Sequence, residues 1–95
     1  MEENAFRSLV AAVKNERFSE GQLNVIEQAS ASNFFRVGQV RILLDLLSFS
    51  ATKLRALEMG VPRIVDPENA FAVYDAFTFT SDKEQAKQIL RRYGL

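Results

Sequence analysis

The chain has 95 residues and no net charge, because 12 lysine and arginine residues balance 12 aspartate and glutamate residues. Apolar residues make up 47% and charged residues 25%, which is typical of one globular domain and not of a disordered segment. Cysteine and histidine are both absent, which excludes a disulfide framework, a thiolate metal site and histidine-based catalysis.

The first residues, MEENAF, are acidic where a secretory signal peptide would be basic, and no long apolar segment follows. We therefore expect neither a signal peptide nor a transmembrane segment in this chain. The sequence leaves the compartment open, and we expect the chain to be one domain of a larger protein.

A phrase that contains phenylalanine divides the chain into units of about 15 residues. It reads FSEGQL from Phe18, FRVGQV from Phe35, SFSATKL around Phe49 and FTSDKE from Phe79. A unit of this length holds one helix and a tight turn. The repeated phrase is therefore predicted to start successive helices.

The first copy of the phrase has the form of a capped helix start. Ser19 is the predicted N-cap, Gln22 completes a capping box, and Phe18 packs on Leu23 as a hydrophobic staple. The segment SFSATKL repeats this arrangement around Phe49.

The other helix starts differ in quality. Arg36 stands where a cap is needed, which predicts a poorer start for the third helix. Asp66 is a predicted cap with Pro67 at the first helical position, where proline is favourable. In the last copy we place the cap at Ser81, with Glu84 completing the box.

Apolar residues between these starts recur at helical spacing. The stripes are Phe6 to Val13, Leu23 with Ile26, Val37 to Leu47, Leu54 with Leu57, Ala70 with Phe71, Tyr74 and Phe77, and Ala86 to Tyr93. No strand alternates convincingly, and FTFT at residues 77–80 is interpreted as a turn. The third helix is apolar nearly all round and is expected to be central, the alternative being an exposed partner-binding face. The prediction is an all-α fold, a compact single-domain bundle of about six short helices with tight capped turns over residues 1–95.

The order of these features resembles an uncharacterised helical family, domain of unknown function 4476, from about Phe6 to Ile89. The resembling features are Phe18, QVRILL from Gln39, the segment SFSATKL, Pro62, Asp66, Asn69, Phe77 and the segment FTSDK. Arg36 departs from the small polar residue that we would expect at its position. The resemblance implies a compact helical domain and transfers no catalytic residue, because no activity is assigned to the family.

The chain offers little for catalysis. Its densest acidic group is Asp66 with Glu68, beside Asn69, but carboxylates two residues apart do not face each other on a helix, and the helix dipole explains acids in a first turn. The spacing of a calcium-binding loop and a glycine-rich phosphate loop are both missing. We predict that the protein is not an enzyme and has no catalytic residue, cofactor, metal or small-molecule substrate.

The last helix carries a basic stripe, Lys83, Lys87 and Arg91, to which Arg92 adds. It could contact an acidic partner, phosphates or lipid head groups, or it could be a solvated face whose cations suit the end of a helix. Nucleic acid is not favoured, because acids at positions 82 and 84 interrupt the stripe and no aromatic residue clearly joins it.

Phe34 has no role in a helix start, because Phe35 already holds the staple position. We expect its ring to cover the core from another side, and the alternative is an exposed, sticky surface. The predicted function is a non-enzymatic protein-interaction or scaffolding module with another protein as partner. The candidate partner-binding residues are Lys83, Lys87, Arg91, Arg92 and Phe34. The alternative is an anionic-surface module that binds phospholipid or nucleic-acid phosphate through the basic stripe.

Overall fold

Six helices and one short 3₁₀ turn build the protein in a computed structural model that describes residues 1–95. The elements are α1 (Glu3–Asn15), α2 (Ser19–Ser32), α3 (Val37–Asp45), α4 (Ser50–Gly60), the 3₁₀ turn η1 (Val61–Arg63), the 3₁₀ helix η2 (Pro67–Ala76) and α5 (Thr80–Arg92). There is no strand, and one isolated bridge joins Phe35 to Ile64. The prediction of a small all-α domain is confirmed.

One apolar core runs through the whole bundle. The helices contribute residues at helical spacing, for example Phe6, Leu9 and Val13 of α1, as expected for amphipathic helices packed on one core. Helix α3 buries Val40 and Leu44 but leaves Ile42 exposed. Apolar residues occur nearly all round this helix, but not all of them are buried.

Successive elements run in opposite directions. The Val40 methyl groups of α3 lie against Gly60, so the start of α3 faces the end of α4. Asp66, just before η2, contacts the start of α3, and Asp75 of η2 lies 3.4 Å from the Arg41 guanidinium, so η2 runs the same way as α3.

Helices α2, α4 and α5 consequently run parallel to one another. Glu20 at the start of α2 pairs with Arg55 of α4 at 3.9 Å, and the Asn33 carbonyl after α2 accepts a bond from Arg63 after α4. Next to them, Glu58 of α4 pairs with Arg92 of α5 at 3.2 Å. All three helices therefore begin at the same end of the molecule.

The start of α3 is better satisfied than predicted. The Val37 N–H donates to Asp66 Oδ1 at 2.7 Å, and Gln39 Oε1 accepts from the Arg36 N–H at 3.1 Å. The expectation of a poor start was wrong, because the capping carboxylate comes from a residue far along the chain. Asp66 is also the N-cap residue of η2, before Pro67, as predicted, but its side chain makes no cap bond to η2.

The predicted caps were wrong by one residue for α2 and α4 and by two residues for α5. The carbonyls of Phe18, Phe49 and Phe79 accept the first helical bonds, so each phenylalanine is itself the N-cap residue, and none of these three helices has a side-chain cap. Ser19 is consequently already inside α2, where its hydroxyl does not serve as the predicted cap. Gln22 donates to the Glu16 carbonyl and forms no capping box.

The helix η2 has a three-residue period. Its buried residues are Ala70, Val73 and Ala76, as the eclipsed side chains of a 3₁₀ helix require. The predicted stripe assumed α-helical spacing and placed Phe71 in the core. That placement was wrong, because the shorter period turns the Phe71 ring to the surface.

Ser30 is a buried polar residue of α2 whose hydroxyl has no hydrogen-bond partner. We expect Ser30→Ala to raise the free energy of unfolding by about 1 kcal/mol, because it removes an unsatisfied group and improves helix propensity. The control is Ser32→Ala, at an exposed position. It should change only the helix propensity and raise the free energy of unfolding by a few tenths of a kcal/mol. Urea denaturation measures both, and a less stable Ser30→Ala variant would contradict the prediction.

Candidate functional site

Three exposed phenylalanines mark one end of the molecule. The exposed fractions of Phe18, Phe49 and Phe79 are 75%, 65% and 65%. Each ring belongs to the residue just before α2, α4 or α5, and these helices begin at the same end. We call these three residues the aromatic end. The hydrophobic staples predicted for Phe18 and Phe49 are absent, since rings so exposed do not pack on the helices that they start.

The neighbours of the three rings are small and polar. Ser19, Ser50 and Thr80 follow them, and Ser48 and Thr78 precede two of them. A single exposed apolar side chain needs no explanation in a soluble protein. Three of them at equivalent positions of parallel helices form a repeated pattern on one surface.

The basic stripe borders a groove between η2 and α5. Lys83 and Lys87 line it together with Tyr74, Thr80 and Glu84, and its volume is about 380 Å³. Neither lysine has an ion-pair partner within 4.0 Å, and Arg91 has none either. Two of the predicted residues thus lie together at a concave surface with their charges available.

Of the other three predicted residues, Arg91 does not line the groove, and Arg92 and Phe34 lie in other surroundings. Arg92 pairs with Glu58 on the side of α5 that faces α4. The exposed Phe34 lies beneath the Arg63 guanidinium, 4.2 Å from the ring centre, in the connection between α2 and α3. The core position expected for Phe34 was wrong, because the backbone turns only Phe35 inward.

Tyr74 is the residue that the sequence analysis missed. It is half-buried and faces the lysines, so an aromatic side chain does join the basic stripe. Applying a three-residue period to PENAFAVYDA would have separated Phe71 and Tyr74 from the buried face of Ala70 and Val73. The proline at its start is compatible with either kind of helix and gives no warning.

No three acidic side chains cluster closely enough to hold a metal ion. None of the helices combines the length and the apolarity that crossing a membrane requires.

The fold and these surfaces define a small all-α domain with exposed aromatic and basic groups. The sequence profile of the family described as "Domain of unknown function (DUF4476)" matches residues 1–90. The chain belongs to this family, as the resemblance implied. No curated protein and no solved structure matches the chain.

Proposed function

We propose that the protein is a non-enzymatic protein-interaction or scaffolding module whose partner covers the aromatic end. The observation that carries the proposal is the exposure of Phe18, Phe49 and Phe79 at equivalent positions of three parallel helices. Aromatic side chains are enriched among the residues that dominate binding energy at protein interfaces.

The binding free energy expected from three phenylalanine side chains supports a protein as the partner. Burying one phenylalanine side chain contributes about 1.5–3 kcal/mol, so three rings cover a useful share of the 8 kcal/mol or so of a micromolar complex. Because these rings lie outside the core, removing them should not unfold the domain.

The test replaces the three rings together. The triple variant Phe18→Ser, Phe49→Ser, Phe79→Ser should lose a protein that wild type captures from extract of the native host, by about a hundredfold or more in affinity once that protein is purified. Circular dichroism and thermal melting should show an unchanged fold.

The matched control removes three exposed apolar residues from the rest of the surface, in the variant Phe34→Ser, Val65→Ser, Tyr93→Ser. It should keep the partner. A partner that the aromatic-end variant retains, or no specific partner in the extract, would contradict the proposal.

The second candidate is binding to an anionic surface, and the unpaired cations Lys83, Lys87 and Arg91 favour it. Such binding weakens as salt screens the charges. Vesicles that contain phosphatidylserine are the probe, and failure to bind them at low ionic strength would count against it.

A further inference from the structure

We infer that the groove between η2 and α5 binds an acidic peptide segment that carries aromatic or aliphatic side chains. The inference rests on the proposed function, in which the partner is a protein, and it specifies the chemistry of that partner. The groove has an apolar wall formed by η2 and a basic wall formed by α5, and the inference follows from both.

The wall formed by η2 is apolar. Tyr74 faces the groove, and Phe71 lies one 3₁₀ turn before it on the same stripe, with 68% of its surface exposed. The lysine side chains opposite add their aliphatic stems, which pack on apolar groups while their amines stay in water. An apolar side chain of a ligand can therefore enter between Tyr74 and α5.

The wall formed by α5 is basic. Lys83 and Lys87 line the groove, and Arg91 follows one helical turn beyond Lys87 on the same stripe of α5. None is neutralised by an ion pair within the protein. Glu84 lines the groove with two of these cations and leaves the wall positive on balance. Carboxylates of a ligand complement such a wall.

The mixed lining and the charge favour a peptide over the other anionic partners. Tyr74 is half-buried beside Lys83 and Lys87, so a ligand that contacts all three needs apolar and acidic groups close together, as a peptide has. A nucleic-acid strand brings a charge at every phosphate, and its affinity grows with the number of cations that it meets. Glu84 interrupts that row, whereas a peptide can place its carboxylates only beside the lysines.

The groove is also continuous with the aromatic end. Thr80 lines it, and Thr80 directly follows Phe79. A partner that covers the exposed rings can therefore extend a tail along α5. Its apolar contacts would lie at the rings and its acidic contacts along the groove.

The experiment uses the whole chain and a defined probe, a random copolymer of glutamate and tyrosine. Polyglutamate, an oligothymidylate and phosphatidylserine vesicles are compared with it at equal ionic strength. Binding is measured by fluorescence anisotropy, or by cosedimentation for the vesicles, and the site is located from amide shifts in ¹⁵N NMR spectra. We expect the copolymer to shift the amides of Tyr74, Thr80 and residues 83–87.

Two groove variants and one control separate the contributions. Lys83→Glu with Lys87→Glu should weaken copolymer binding about tenfold or more, since two charge contacts become repulsive. Phe71→Ala, at an exposed position, should weaken it several-fold through the apolar wall. Arg7→Glu with Lys14→Glu makes the same charge change on exposed positions of α1 and should leave binding unchanged.

Several outcomes would overturn the inference. Equal affinity for polyglutamate and the copolymer would show that the apolar wall binds nothing. Tighter binding of the oligothymidylate or the vesicles would assign the groove to phosphate. No copolymer binding at low ionic strength, or shifts outside the groove, would remove the site. Partner capture through the aromatic end is tested separately, with the triple variant of Phe18, Phe49 and Phe79. None of these results would therefore contradict the proposed function.

Discussion

Phe35→Ala should lower the free energy of unfolding by about 3–5 kcal/mol. The Phe35 side chain is completely buried, and its backbone forms a bridge with Ile64. Its N–H donates to the Arg63 carbonyl at 2.8 Å, and its carbonyl accepts from the Val65 N–H at 2.9 Å. These bonds hold the backbone in place, so we expect the core to collapse poorly around the missing ring. For a domain of this size the loss is about a third or more of the total stability.

The adjacent ring provides a matched control, because Phe34→Ala makes the same chemical change one residue earlier. Phe34 is 55% exposed and contacts the Arg63 guanidinium, an interaction worth about 0.5–1 kcal/mol. Its removal should therefore cost no more than that. Urea denaturation of both variants measures the difference. Equal losses of stability would contradict the placement of Phe35 in the core and Phe34 at the surface.

Asp66→Ala should lower the free energy of unfolding by about 2 kcal/mol. The variant leaves the Val37 N–H at the start of α3 without its acceptor and removes the bond from Asn69 Nδ2 at 3.0 Å. Removing a cap normally lowers the free energy of unfolding less when the cap is local and exposed, whereas Asp66 joins α3 to η2. Glu68→Ala, in the same first turn of η2 and without a hydrogen-bond partner, is the control and should change stability by less than about 0.5 kcal/mol.

The contribution of Asp66 should also depend on pH. Burial raises the pKa of Asp66, but the bonds from Asn69 and Val37 and the charge of Arg36 together outweigh it and hold the pKa below its ordinary value. A carboxylate whose pKa falls on folding stabilises the native state above its unfolded pKa of about 3.9, and loses that effect as the pH falls through the folded pKa.

The neutral variant Asp66→Asn isolates this charge. Wild type should exceed Asp66→Asn in stability by a constant amount above about pH 5, and the difference should shrink as the pH falls below about 4. Urea denaturation across this range tests the sign. A difference that grows toward acid pH would contradict it.

The helices were predictable because apolar spacing is a local signal. Positions such as Leu9 with Val13, and Val40 with Leu44, repeat within one or two turns, and burial follows that spacing. The cap of α3 was not predictable in this way. Val37 and Asp66 are far apart in sequence, and only the packing of η2 on α3 brings them together.

In the candidate site, too, features set by local sequence were predictable and features set by packing were not. The order of Lys83, Lys87 and Arg91 follows from helical geometry alone, and the sequence predicted it. The exposure of Phe18 did not follow from any local rule, because the Phe35 ring, in another copy of the same phrase, is fully buried. The difference is one of position, since the backbone of Phe35 is bonded to the segment around Ile64 whereas Phe18 precedes α2 with its ring exposed.

The alternating course of the elements also decides where the chain can be attached. The Met1 carbonyl accepts a bond from Gln39 Nε2 at 2.7 Å beside the start of α3, and Leu95 follows the end of α5. Both termini therefore emerge at the end of the molecule opposite Phe18, Phe49 and Phe79. Attachment through either terminus orients every copy with these rings pointing outward. A surface that carries many copies would present a uniform array of rings, and a ligand that contacts several of them at once would be held longer than by one contact alone.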